Sequence, residues 1–222
     1  MSLLAGGRMT ILLAFKSLPL LLISFIGFLA IGLGNLGLFI LFIGHAIIVP
    51  AITELLHLGT ASSSNSMTSS NEIAQLVPLI PVSGASYTGQ VNIMPSYWMA
   101  HISFFFGYLL MNAVSIYTQA ANKTADKNMV TSRKSRAATI IASVVIILIV
   151  LSVLRIYATG LETIGGVGLA IVVLGFAGVG WYKLAETSGA RNSDIFGIAS
   201  QMISQESGNN APMTCVYKST PS

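Results

Sequence analysis

Apolar residues in this chain come in five long runs, at residues 10–33, 36–56, 96–118, 137–159 and 161–183, with polar segments between them. About twenty mostly apolar residues at 1.5 Å rise cross a hydrocarbon core of roughly 30 Å. The pattern predicts an all-α, polytopic transmembrane helical bundle. The first two runs adjoin, and Gly32-Leu33-Gly34-Asn35 marks the break, because Gly and Asn tolerate the left-handed backbone of a tight turn. A helical hairpin over residues 1–58 follows. The competing reading is an interfacial start up to Pro19, one crossing near residues 20–43, and an interfacial return from His45 to His57.

Residues 59–95 form an exposed loop. Its first part, 59–70, is a Ser/Thr tract with little to bury, whereas residues 73–82 are apolar, punctuated by Pro and too short to span. Three further spans occupy residues 96–183. The third begins at Pro95-Ser96-Tyr97-Trp98, a helix start followed by aromatics that favour the headgroup boundary, and ends near Tyr117. A basic loop, 120–136, leads to the Ile/Val-rich fourth span, where Arg155 is close enough to the end to snorkel outward. Only a few residues separate it from the fifth span, so these two are antiparallel neighbours. Glu162 is expected to cap the fifth span, and Trp181-Tyr182-Lys183 to anchor its far end. Residues 184–222 are a polar tail with one weak apolar patch at 195–203.

Composition agrees with this solvent. Hydrophobic residues make up 54% and charged residues 8% of the 222, too few polar side chains to cover a water-soluble fold. The formal charge is +4, and Lys123, Lys127, Arg133, Lys134 and Arg136 crowd the one loop. A basic loop between apolar spans is a topology determinant before it is a nucleic-acid surface, so no nucleic-acid partner is expected. Placing it on the positive side puts the tail on that side and the Ser-rich loop opposite. Arg8 and Lys16 then favour four spans while run length favours five, and five is adopted. The N-terminal run outlasts the core of a signal peptide and reads as a retained segment. Cys215 stands alone and offers no internal disulfide.

Candidate chemistry is sparse. On the third span Tyr97, His101, Tyr108, Asn112 and Ser115 fall within about 60° of one another at 100° per residue, so one stripe carries most of its polar groups. Lipid offers such groups no partner, so the stripe should face other helices or a water cavity. Interhelical bonding is the plain reading; a proton path or ligand pocket is the sharper one. His45 and His101 lie in different spans and could share a metal or heme, yet no further ligands accompany them, so no metal, cofactor or catalytic residue is expected. Glu54 and His57 read as an interfacial pair. Gly27 and Gly34, Gly37 and Gly44, and Gly168 and Gly175 are each seven apart, with Gly178 and Gly180 following, which suggests close helix packing. There is no potassium-filter sequence, nucleophile elbow, P-loop, HExxH or CxxC. The sequon at Asn122-Lys123-Thr124 falls in the basic loop, on the side where glycosylation does not occur.

Two stretches carry a family likeness. Gly34-Asn35-Leu36-Gly37-Leu38-Phe39-Ile40-Leu41-Phe42-Ile43-Gly44-His45-Ala46-Ile47-Ile48-Val49-Pro50 and Pro95-Ser96-Tyr97-Trp98-Met99-Ala100-His101-Ile102-Ser103-Phe104-Phe105-Phe106-Gly107-Tyr108 resemble multi-pass membrane proteins of large nucleocytoplasmic DNA viruses of algae and protists. The resemblance implies a non-enzymatic structural protein of a virion's internal membrane, in contact with capsid or other membrane proteins, and part of an oligomer or larger assembly. It brings no catalytic residue. The alternatives are a small transporter or channel lined by the third-span stripe, and a four-span cellular scaffold similar to MARVEL-type proteins.

Overall fold

The computed structural model describes residues 3–61, 95–119, 127–158 and 163–188. The Ser-rich loop, the 73–82 segment, Asn122, Lys123, Glu162, Cys215 and the tail patch lie outside them, as do the side chains of Arg8, Lys16 and His57. Among the described residues, six α-helices and two π-helical turns follow in the order α1 (Leu3–Leu33), α2 (Leu36–Ile43), a π turn (Gly44–Ile48), α3 (Val49–Ala61), α4 (Tyr97–Thr118), α5 (Lys127–Val153), a second π turn (Leu154–Ala158) and α6 (Ile164–Thr187). No strand occurs among the described residues.

Helices α1 and α2 meet at the expected break. Gly34 has φ +59°, the left-handed conformation that glycine adopts without a Cβ penalty. Asn35 then caps α2, its side-chain oxygen accepting from the backbone N–H groups of Gly37 and Leu38 at 2.9 and 3.2 Å. The continuous rod through α2 and α3 contains Pro50, which has no N–H and crowds the carbonyl four residues back. The π turn Gly44–Ile48 lies just ahead of it, where the Val49 N–H reaches back to the Gly44 carbonyl. One wider turn accommodates the proline without breaking the rod.

Among the described residues, four helical segments are long and apolar enough to cross a membrane: Leu36–Leu56, Tyr97–Thr118, Lys127–Tyr157 and Ile164–Thr187. They fit a multi-pass membrane protein. That is one span fewer than run length suggests. Among the described residues, the first run contributes the shorter apolar helix Ser17–Leu33.

The basic segment also differs from expectation. Residues 127–136 are not loop but the opening turns of α5. Its Arg133 donates to the Gln119 carbonyl just past the end of α4, at 2.6 Å, and Lys134 lies 6.0 Å from the Tyr117 ring centroid. Cations are favoured at a helix C-terminus by the exposed carbonyls there. Thr163, not Glu162, caps α6, accepting from the Gly166 N–H at 3.1 Å.

Cross-helix contacts fix the directions. Tyr97 meets Glu54 and Trp98 meets Phe15, so the start of α4, the end of α3 and the first half of α1 share one end of the bundle. Ser115 meets Glu186 and Arg133 meets Gln119, so the end of α6 and the start of α5 share the other. Helix α4 therefore runs antiparallel to α2–α3 and α5, and parallel to α6. It is the hub, with its most extensive contacts to α6 and α5.

Candidate functional site

Helix α4 starts at Ser96, whose side chain accepts from the Met99 N–H at 3.2 Å. From there the polar stripe runs the length of the helix, and each member reaches a group on another helix. The Tyr97 hydroxyl donates to the Glu54 carboxylate of α3. His101 Nδ1 lies 3.2 Å from His45 Nδ1 in the first π turn. The Tyr108 hydroxyl donates to the Gly37 carbonyl of α2 at 3.0 Å. Asn112 donates to the Tyr182 hydroxyl of α6 at 3.4 Å, and Ser115 to the Glu186 carboxylate at 3.3 Å. Five residues expected on one face of α4 thus tie it to two other helical rods, α2–α3 and α6. Glu54, expected in headgroups beside His57, is part-buried in this ladder.

The ladder is not continuous. Phe104 falls in the same angular stripe between His101 and Tyr108, and it is fully buried. Its ring packs edge-on to His45, centroids 5.1 Å apart. An apolar ring therefore separates the two polar halves.

His45 and His101 are both almost wholly buried. Since an Nδ1–Nδ1 contact needs one proton, one ring donates and the other accepts. His45 Nε2 is buried with no hydrogen-bond partner. No group of three His, Cys, Asp or Glu that could hold a metal ion occurs among the described residues.

A second constellation involves residues expected at the membrane boundary. Trp98 is fully buried, and its indole N–H donates to the Phe15 carbonyl at 2.8 Å. Phe15 is four residues before Pro19, so its carbonyl is the one that the proline leaves without a helical donor. Trp98 supplies the missing bond. The two rings lie 4.8 Å apart at their centroids. Arg155 does not snorkel outward: it is 1% exposed, with its guanidinium carbon 4.9 Å from the Trp98 ring centroid. A guanidinium over an indole face is a favourable cation–π arrangement when desolvated. The α6 anchor turns inward as well. Trp181 donates to the Ile40 carbonyl at 2.8 Å, Tyr182 is buried, and only Lys183 points outward, paired with Glu186 at 2.8 Å.

Close backbone approach is centred on α4 and α6, where Gly175 and Gly178 of the expected set meet Gly107 and Phe104. A Cβ at Gly107 would lie 2.2 Å from the Gly175 carbonyl oxygen, and one at Gly178 would lie 2.2 Å from that of Phe104. Gly44 is tight against Trp181 and Phe104, whereas Gly168 and Gly180 have nothing within 4 Å. Seven-residue spacing missed Gly107 because its counterpart is on another helix, 68 positions along the chain.

Comparison of the chain with protein-family models, with curated proteins and with solved structures gives no match.

Proposed function

We propose that this chain is a non-enzymatic structural protein of a membrane, built to hold a fixed helical arrangement and to contact other proteins through its polar loop and tail. The observation that carries the reading is the use of the α4 stripe. All five of its residues bond to groups on other helices, and Phe104 interrupts the row where a transport path would have to continue. Transporters place ionisable or unwound backbone groups around a midplane cavity. Here the corresponding face is consumed in packing. The resemblance of residues 34–50 and 95–108 to membrane proteins of large DNA viruses supports the internal membrane of a virion as the setting, with capsid or neighbouring membrane proteins as partners. The Ser-rich stretch and the tail have the composition of segments that order on a partner.

Purification of the native assembly, together with flux measurements in proteoliposomes, tests the proposal. The expected result is co-migration with a defined membrane or capsid assembly and no substrate-specific flux. Robust flux that Tyr108→Phe or Asn112→Leu abolishes would replace this reading with the transporter one.

A further inference from the structure

We propose that His45 and His101 form a two-coordinate site for copper(I), held between their Nδ1 atoms in the interior of the bundle. The site is independent of the assembly role above. Its basis is the meeting of two imidazoles from separate helices through the same ring nitrogen, 3.2 Å apart, with both residues withdrawn from solvent.

The donor set selects the ion. Zinc requires about four ligands, of nitrogen, sulfur or oxygen, and no third His, Cys, Asp or Glu joins this pair among the described residues. The neighbours are the rings of Phe104 and Phe105, with centroids 5.1 and 6.2 Å from that of His45. A divalent ion with no anionic ligand would carry an uncompensated double charge into an apolar interior. A monovalent d10 ion carries half that charge, and two opposed nitrogens satisfy its linear preference. Imidazole is a competent copper ligand.

Geometry and protons both permit the exchange. Two metal–nitrogen bonds of about 2 Å place the nitrogens roughly 4 Å apart, less than about 1 Å beyond their present separation. The terminal ring torsion of histidine is broad, so modest rotation supplies that opening. In the metal-free pair one Nδ1 holds the shared proton. On binding, that proton moves to Nε2 of the same ring, both Nδ1 lone pairs face the ion, and no proton leaves the site. His45 Nε2 makes no hydrogen bond, so at His45 this change of tautomer breaks nothing except the contact between the two rings. The π turn Gly44–Ile48 positions His45 for this role; such turns recur at functional sites.

The test uses the full chain in lipid nanodiscs, with Cys215→Ser to remove the only thiol. Copper(I) is titrated anaerobically against a chromophoric chelator. One ion per chain is expected, with affinity lowered roughly 100-fold or more by His45→Phe and by His101→Phe. X-ray absorption of the loaded chain with both histidines present should show two nitrogen neighbours at about 2 Å and no sulfur; this reading does not require either variant to fold. No stoichiometric binding, sulfur ligation, retention of affinity in both variants, or zinc binding as tight as copper(I) would each overturn the assignment.

Discussion

Helices α4 and α5 are neighbours that solve opposite problems. Of the most apolar 18-residue stretch in each, 72% is buried in α4 and 17% in α5. Yet α4 is the less apolar of the two. In a water-soluble protein the order would be reversed. With hydrocarbon outside, the most hydrophobic helix has the least reason to hide, and the helix carrying hydrogen-bonding groups must be surrounded by protein. Helix α5 exposes Val145, Ile146, Ile147, Ile149 and Val150 around most of its circumference. Helix α4 buries Trp98, His101, Phe104, Tyr108 and Asn112. The lesson is that apolar character marks the periphery of this bundle and polarity marks its centre.

Glycine substitutions put the sharpest strain on that contrast. Gly107→Ala or Gly178→Ala drives a methyl group into a facing backbone, where no side chain can yield. A loss of about 1–3 kcal/mol or more is expected from overpacking, read by steric-trap or detergent unfolding in a bilayer mimic. Gly168→Ala and Gly180→Ala, which meet open space, should change stability by less than about 0.5 kcal/mol. Equal effects at all four positions would break the assignment of α4 and α6 as the tight seam.

Removing Trp98's donor comes next. Trp98→Phe leaves the Phe15 carbonyl with neither its helical donor nor the indole, and it weakens the ring beneath Arg155. A loss of about 1–2 kcal/mol is expected from an interhelical bond and a weakened cation–π contact together. Pro19→Ala restores an N–H to α1, so in that background the same change should be milder. An undiminished effect there would show that the proline-freed carbonyl is not what Trp98 serves.

Asn112→Leu removes one rung of the ladder and should weaken the bundle by roughly 0.6–1.7 kcal/mol. The smallest effects belong to α5. Ile146→Leu and Ile149→Leu should fall within about 0.5 kcal/mol of the parent, while a lipid-soluble photoprobe labels positions 146, 149 and 150 far more heavily than 101, 108 and 112. Heavy labelling of the α4 positions would invert the comparison.

Much of the framework is written locally. The turn at Gly34-Asn35, the Ser96 start of α4 and the stripe from Tyr97 to Ser115 depend on neighbours within a few positions, and periodicity exposes them. Other features were misplaced. Arg155 reads as a snorkelling cation because its span ends nearby, but the Trp98 face offers it a partner inside the bundle. Trp181 reads as an interfacial anchor, but its N–H has the Ile40 carbonyl within reach. The start of α5 reads as loop because charge dominates residues 127–136, yet charged residues form helix readily when their heads reach water or a helix end.

The sequence by itself determined the solvent, the all-helical class, the hairpin break and which face of α4 carries polar groups, since each follows from composition, turn chemistry or a 100° repeat. Tertiary structure alone decided that His45 meets His101, that Gly107 lies against Gly175, and that Arg155 turns inward. The physical reason is the similarity of lipid and protein interior. Both are apolar, so hydrophobicity does not say which face of a helix is covered, and partner choice falls to close packing and hydrogen bonding between residues far apart in the chain.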